Sequence, residues 1–102
     1  MSNFLLELAK TIESRKNENK EKSYTSFLLS KGFSKCLDKF QEESGEFSEA
    51  IKNNSNIVHE SADVIYHFLV TLESRGIKFI DVIKELEKRK NKSGLEEKKN
   101  RT

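Results

Sequence analysis

Two groups of acidic side chains carry the strongest chemical signal in this 102-residue chain. Glu42, Glu43 and Glu46 form the pattern E-E-x-x-E, and Glu60 and Asp63 form E-x-x-D. Residues three apart share one side of an α-helix, with Cβ atoms about 5–6 Å apart, so each pair presents its carboxylates together. Two such pairs on packed antiparallel helices would bring four carboxylates to one place. At about 100° per residue, Glu43 and Glu46 project from the flank of an apolar stripe, with Lys39 between them in angle. Glu60, Asp63 and His67 form a similar stripe flanked by Val64 and Val70. Unpaired charge at the margin of a core is expensive, so something must neutralise these acids. Oxygen-only ligands suit Mg²⁺ or Mn²⁺ far better than zinc, because hard cations take carboxylates and keep waters for a substrate phosphate. A cation held this way can polarise phosphorus and activate water, which implies hydrolysis of a nucleotide polyphosphate. A lone E-x-x-E is usually a solvated helix face, whereas E-x-x-D inside an otherwise apolar helix resists that explanation. Spacing alone leaves both readings open.

The elements that must position these acids read as helices. Phe4, Leu5, Leu8 and Ile12 fall at helical spacing and predict a first helix over about 3–15, followed by a polar loop to Lys22. Ser23 to Ser26 offer hydroxyl caps for a short second helix that Gly32 closes. A third helix is expected from Ser34, with Leu37, Phe40, Ser44, Phe47 and Ile51 as its buried stripe, ending in Asn53-Asn54-Ser55-Asn56. The fourth, from Asn56 to Arg75, is apolar over more than half its circumference and must be buried on more than one side. Gly76 suits a left-handed helix end, with Ile77 placed to meet Leu72 in a Schellman closure. Phe79, Val82, Ile83 and Leu86 define a last amphipathic helix. Residues 1–90 therefore form one all-α domain, an antiparallel helical bundle, and 91–102 form a charged, disordered tail.

Composition agrees with that class. Leu, Ile, Val and Phe make up more than a quarter of the chain, enough for a small core, while the absence of Pro and only four Gly argue against a turn-rich β-sandwich. The net charge of +2 conceals a division: residues 38–63 carry −5 and residues 84–102 carry +4. No stretch has the apolar length of a membrane span, and the first residues lack the pattern of a signal peptide, so a cytoplasmic protein without membrane contact is expected. One cysteine, Cys36, excludes an internal disulfide and reads as a packing residue. So small a chain has little material to surround the fourth helix, which predicts completion of the core by a homodimer or a higher even-numbered oligomer.

Three segments together resemble a known family. Ser23-Tyr24-Thr25, then Lys39-Phe40-Gln41-Glu42-Glu43-Ser44-Gly45-Glu46, then Glu60-Ser61-Ala62-Asp63-Val64-Ile65-Tyr66-His67-Phe68-Leu69-Val70, resemble the phosphoribosyl-ATP pyrophosphatases of histidine biosynthesis. That family belongs to the MazG-like, all-α NTP pyrophosphohydrolases, and the resemblance runs from about residue 23 to 89. It implies Mg²⁺-dependent hydrolysis of 1-(5-phospho-β-D-ribosyl)-ATP, a small nucleotide substrate, to the AMP derivative and pyrophosphate. It further implies that Glu43, Glu46, Glu60 and Asp63 hold the metal and that Glu42 is either a further ligand or the base for water. Lys39 matches a family lysine that meets substrate phosphate, although by spacing alone it is an ion-pair partner of Glu43. His67 is either a substrate contact or a support for the acids. Tyr24 and Thr25 either reach the substrate or cap a helix.

The chain also departs from the family pattern. Gln41 stands in place of Gly, Phe27 in place of a basic residue, and Lys78 in place of a hydroxyl or acidic helix cap. Glu49 reads as solvated surface, and His59 has no family counterpart and no assigned role. Two rival readings follow: a MazG-like enzyme acting on (d)NTPs, and a non-catalytic helical dimerisation module whose basic tail binds nucleic acid. The tail alternates Glu with Lys and has no aromatic residue, which argues against the second.

Overall fold

The computed structural model describes residues 2–90 as five helices: α1 (Ser2–Arg15), α2 (Tyr24–Ser30), α3 (Phe33–Asn53), α4 (Ile57–Ser74) and α5 (Phe79–Arg89). No strand occurs among the described residues, so the fold is all-α. The segment 91–102, expected to be a disordered tail, lies outside the described residues.

Local chemistry explains where the helices begin and end. Ser23 Oγ accepts from the Ser26 N–H at 3.1 Å and so caps α2, one of the two roles expected of this hydroxyl cluster. Ser26 Oγ donates to the Glu18 carbonyl at 2.6 Å and ties the polar loop to the helix. Gly32, at φ 87°, makes the sharp turn between α2 and α3, and α3 begins at Phe33, one residue earlier than expected. α3 and α4 are joined by three residues. Asn54 and Asn56 both adopt left-handed backbone there, a conformation Asn tolerates better than most side chains. So short a link folds α4 back antiparallel along α3, and Thr71 Oγ1 donates to the Cys36 carbonyl at 3.2 Å at the far end of the pair. The end of α4 is the expected Schellman closure, with Gly76 at φ 71°, its N–H on the Glu73 carbonyl at 2.9 Å and the Ile77 N–H on the Leu72 carbonyl at 3.0 Å.

The core gathers Ile12, Leu28, Cys36, Leu69 and Val70, with Phe27, Tyr66, Phe68 and Phe79 packed against it. Cys36 has the expected packing role: it is buried, and its Sγ donates to the Leu28 carbonyl at 3.4 Å. The orientation of α3 corrects the sequence expectation. Its buried positions are Cys36 and Ala50, whereas Leu37 and Ile51, assigned to the buried stripe, are exposed. The inward seam is therefore Cys36, Phe40, Glu43, Phe47 and Ala50, at steps of 4, 3, 4 and 3. Hydrophobicity placed the stripe on Ser44 because it could not assign a carboxylate to a core position. The rotation carries Glu43 from the flank into the seam facing α4.

Within one chain α4 is buried on one side only. His67, Leu69, Val70 and Glu73 are enclosed, while Val58, Ala62 and Ile65, at steps of 4 and 3, remain exposed. α5 contains no buried residue, and Leu86 on it is 60% exposed. Lys78 precedes α5 without a side-chain cap and instead pairs with Glu13 of α1.

Candidate active site

The α3–α4 pairing, the most extensive in the fold, concentrates the acids. One carboxylate oxygen from each of Glu43, Glu46 and Glu60 lies within 4.8 Å of the others. Ligand atoms of His59, Glu60 and Asp63 form a second group of the same tightness. Glu60 belongs to both, so the four acids expected to bind metal form one ridge, with Asp63 joined to Glu43 and Glu46 through Glu60. His59, to which the sequence assigned no role, sits at its end with Nε2 3.3 Å from Asp63 Oδ2. The four-residue spacing from His59 to Asp63 was a legible signal for this contact.

Electrostatics mark the ridge as a place where carboxylate charge is costly. Desolvation, reinforced by the Glu46 carboxylate beside it and by Asp63 and Glu60, pushes the Glu43 carboxyl up to about 7. Glu60 is raised too, chiefly by desolvation and then by Glu46. Oε2 of Glu43 and Oε2 of Glu60 are buried without a hydrogen-bond partner. Acceptor-only oxygens in that state need either protons or a cation, and a donor set dominated by carboxylates fits a hard divalent ion.

Glu42 stands apart from this cluster. Lys39 Nζ donates to Glu42 Oε2 at 3.0 Å, which corrects the expected pairing of Lys39 with Glu43: the lysine follows the outward-facing acid because Glu43 turns into the seam. Glu42, Glu46 and Glu60 line a cleft of about 380 Å³ whose floor includes Gly45 and Ala50. Glu49 also lines it but is solvent-exposed and pairs with Lys52 at 3.7 Å, as a surface acid should.

Beyond Asp63, α4 meets the start of α2 in a cluster of rings. His67 is 5% exposed and is held edge-on by Tyr66, with ring centres 4.9 Å apart, and by Tyr24, at 6.3 Å. Its Nδ1 is buried without a partner, and burial, then the Lys39 charge, lowers its pKa, with Asp63 and Glu42 opposing. The imidazole is therefore neutral at pH 7. Thr25 Oγ1 and Tyr66 Oη share a hydrogen bond of 2.5 Å, so Thr25 fastens α2 to α4. Tyr66, which sequence reasoning quoted only within the motif, is thus the bridge between the two elements. Tyr24 remains 53% exposed beside it.

The site so built unites E-E-x-x-E on α3, E-x-x-D on α4 and the S-Y-T start of α2. Comparison with known proteins places the chain in a family. The family model described as Phosphoribosyl-ATP pyrophosphohydrolase matches residues 5–90, all of the helical body but the first residues of α1. A phosphoribosyl-ATP pyrophosphatase of Ruegeria pomeroyi is 47% identical, covering 92% of this chain and 91% of its own. That of Paracoccus denitrificans is 45% identical over 92% and 89%, and that of Hydrogenovibrio crunogenus 43% identical over 100% and 96%. Matches of this length leave no helix of the site outside the shared region, and the chain belongs to the phosphoribosyl-ATP pyrophosphohydrolase family.

Proposed function

We propose that this protein hydrolyses 1-(5-phospho-β-D-ribosyl)-ATP to 1-(5-phospho-β-D-ribosyl)-AMP and pyrophosphate, the second step of histidine biosynthesis. The observation that carries the reading is the carboxylate ridge of Glu43, Glu46, Glu60 and Asp63, assembled from two helices beside an open cleft in a chain of this family. These four acids would hold Mg²⁺, or Mn²⁺ in its place. Bound there, the ion would supply charge neutralisation for the phosphate oxygens and acidify water.

The chain's own residues then divide the remaining work. Glu42 borders the cleft but lies outside the carboxylate cluster, so, once released by Lys39, it is the acid available to take the proton from the attacking water. As water adds to phosphorus, the α–β anhydride bond breaks and pyrophosphate leaves. Lys39 exchanges its contact with Glu42 for a substrate phosphate, which also frees the base. Thr25, through Tyr66, and neutral His67 hold the α2 end of the site against α4.

The exposed apolar stripe of Val58 and Ile65 on α4, with Leu37 and Ile51 on α3, supports a homodimer or a higher even-numbered assembly. No helix among the described residues is long and apolar enough to cross a membrane, and a nucleotide substrate fits a cytoplasmic location. The direct test supplies Mg²⁺ and either phosphoribosyl-ATP or dNTPs and measures pyrophosphate. Release from phosphoribosyl-ATP is expected; release from dNTPs alone would overturn the assignment.

A further inference from the structure

The proposed substrate differs from ATP at one place that matters for recognition. A sugar on N1 of adenine turns the ring into a basic amidine that is protonated at neutral pH. The purine of phosphoribosyl-ATP is thus a flat cation, whereas that of ATP is neutral. A site that distinguishes them needs a partner for a planar positive charge.

We propose that Tyr24 is a specificity-determining residue whose ring takes the cationic purine of the substrate. This rests on the proposed reaction and adds a recognition element to it. Cations over aromatic faces are attracted by the ring quadrupole, and planar ones also stack. Four observations support the assignment. Tyr24 is packed against Phe27, ring centres 6.4 Å apart and planes 20° from parallel, and against the edge of His67, yet it keeps 53% of its surface open. It is therefore a supported ring presented to solvent. The same cluster already takes a cation, because Lys31 Nζ lies 5.3 Å from the centre of the Phe27 ring, leaving Tyr24 as the exposed face.

The third observation is reach. His67, which Tyr24 touches, lies seven residues along α4 from Glu60, about 10 Å at the helical rise. A nucleotide in an extended conformation spans a distance of that order between its α-phosphate and its base, so phosphates at the acids leave the purine near Tyr24. The fourth is charge. Lys39 has its charge met by Glu42 at 3.0 Å, or by a substrate phosphate once it leaves Glu42, and His67 is held neutral by burial, so neither repels a cationic base.

The test compares equilibrium binding of 1-methyl-AMP, a cation at pH 7, with that of AMP, using the full chain in Mg²⁺. The unaltered protein should bind 1-methyl-AMP about two- to fivefold more tightly than AMP, the range of an exposed cation–π contact. Tyr24→Phe should retain that preference and Tyr24→Leu should lose it, both with unchanged helical circular dichroism. In turnover, Tyr24→Leu should raise KM for phosphoribosyl-ATP by a similar factor with little change in kcat. Equal binding of the two nucleotides by the unaltered protein, binding of neither, or a preference that survives in Tyr24→Leu would each overturn the proposal. These results are separable from failure of the proposed reaction, which would show as no pyrophosphate from phosphoribosyl-ATP.

Discussion

Replacing Glu43 with Gln should make the metal-free protein more stable while abolishing its activity. The carboxyl of Glu43 is pushed up to about 7 from an ordinary value of 4.5 by desolvation and by Glu46, Asp63 and Glu60. Between those two values the folded chain binds a proton that the unfolded chain has released, so stability falls as pH rises from about 4.5 to about 7 and stays lowered above it. At about 1.4 kcal/mol per pH unit the full penalty is about 3 kcal/mol. Solvent access to the ridge reduces the expected gain in Glu43→Gln to about 1–2 kcal/mol at pH 8.5. His67 works in the opposite sense: its pKa is lowered, so the unfolded chain binds the extra proton below its ordinary value and stability rises with pH there. Comparing the two proteins at each pH cancels the His67 contribution. Urea unfolding followed by far-UV circular dichroism, at fixed protein concentration with a chelator from pH 5 to 8.5, measures the difference. It should be near zero at pH 5 and grow through pH 7. A variant less stable than the original at pH 8.5, or a difference that does not vary with pH, would refute the reasoning that Glu43 is a strained, inward-facing charge.

Other outcomes follow from named contacts. Glu46→Ala or Asp63→Ala should abolish pyrophosphate release while far-UV circular dichroism persists, and Mg²⁺, expected to raise the melting temperature of the unaltered protein, should fail to raise that of either variant. Glu42→Gln should lower kcat by about 10²–10⁴-fold, yet calorimetry should show Mg²⁺ still bound, because Glu42 lies outside the ligand cluster. Leu28→Ala, at a fully buried position, should cost about 2–5 kcal/mol in urea unfolding and leave kcat of the surviving folded fraction unchanged. Removing residues 91–102 should leave turnover nearly intact; a large loss would assign the basic segment a part in the site.

The all-α class, the helix boundaries and the acids were legible in the sequence because each rests on local rules. Hydroxyls at Ser23, asparagines at 54 and 56 and Gly76 all act within a few residues of themselves, and periodicity needs only one helix to be visible. The pairing of E-E-x-x-E with E-x-x-D was legible for the same reason: spacing fixes which acids share a side of their own helix. What spacing could not set was the rotation of α3 against α4. That angle is chosen by the sum of contacts across the interface, which admitted Cys36 and Ala50 and left Leu37 and Ile51 outside. The rotation turned Glu43 inward and left Lys39 to Glu42. Contacts distant in sequence, Thr25 with Tyr66 and Tyr24 with His67, were likewise invisible along the chain, since only the folding of α2 onto α4 brings those rings and hydroxyls together. Sequence alone thus determined which groups could do the chemistry. Tertiary packing decided which of them are desolvated, and desolvation is what makes a carboxylate hold a proton or a cation.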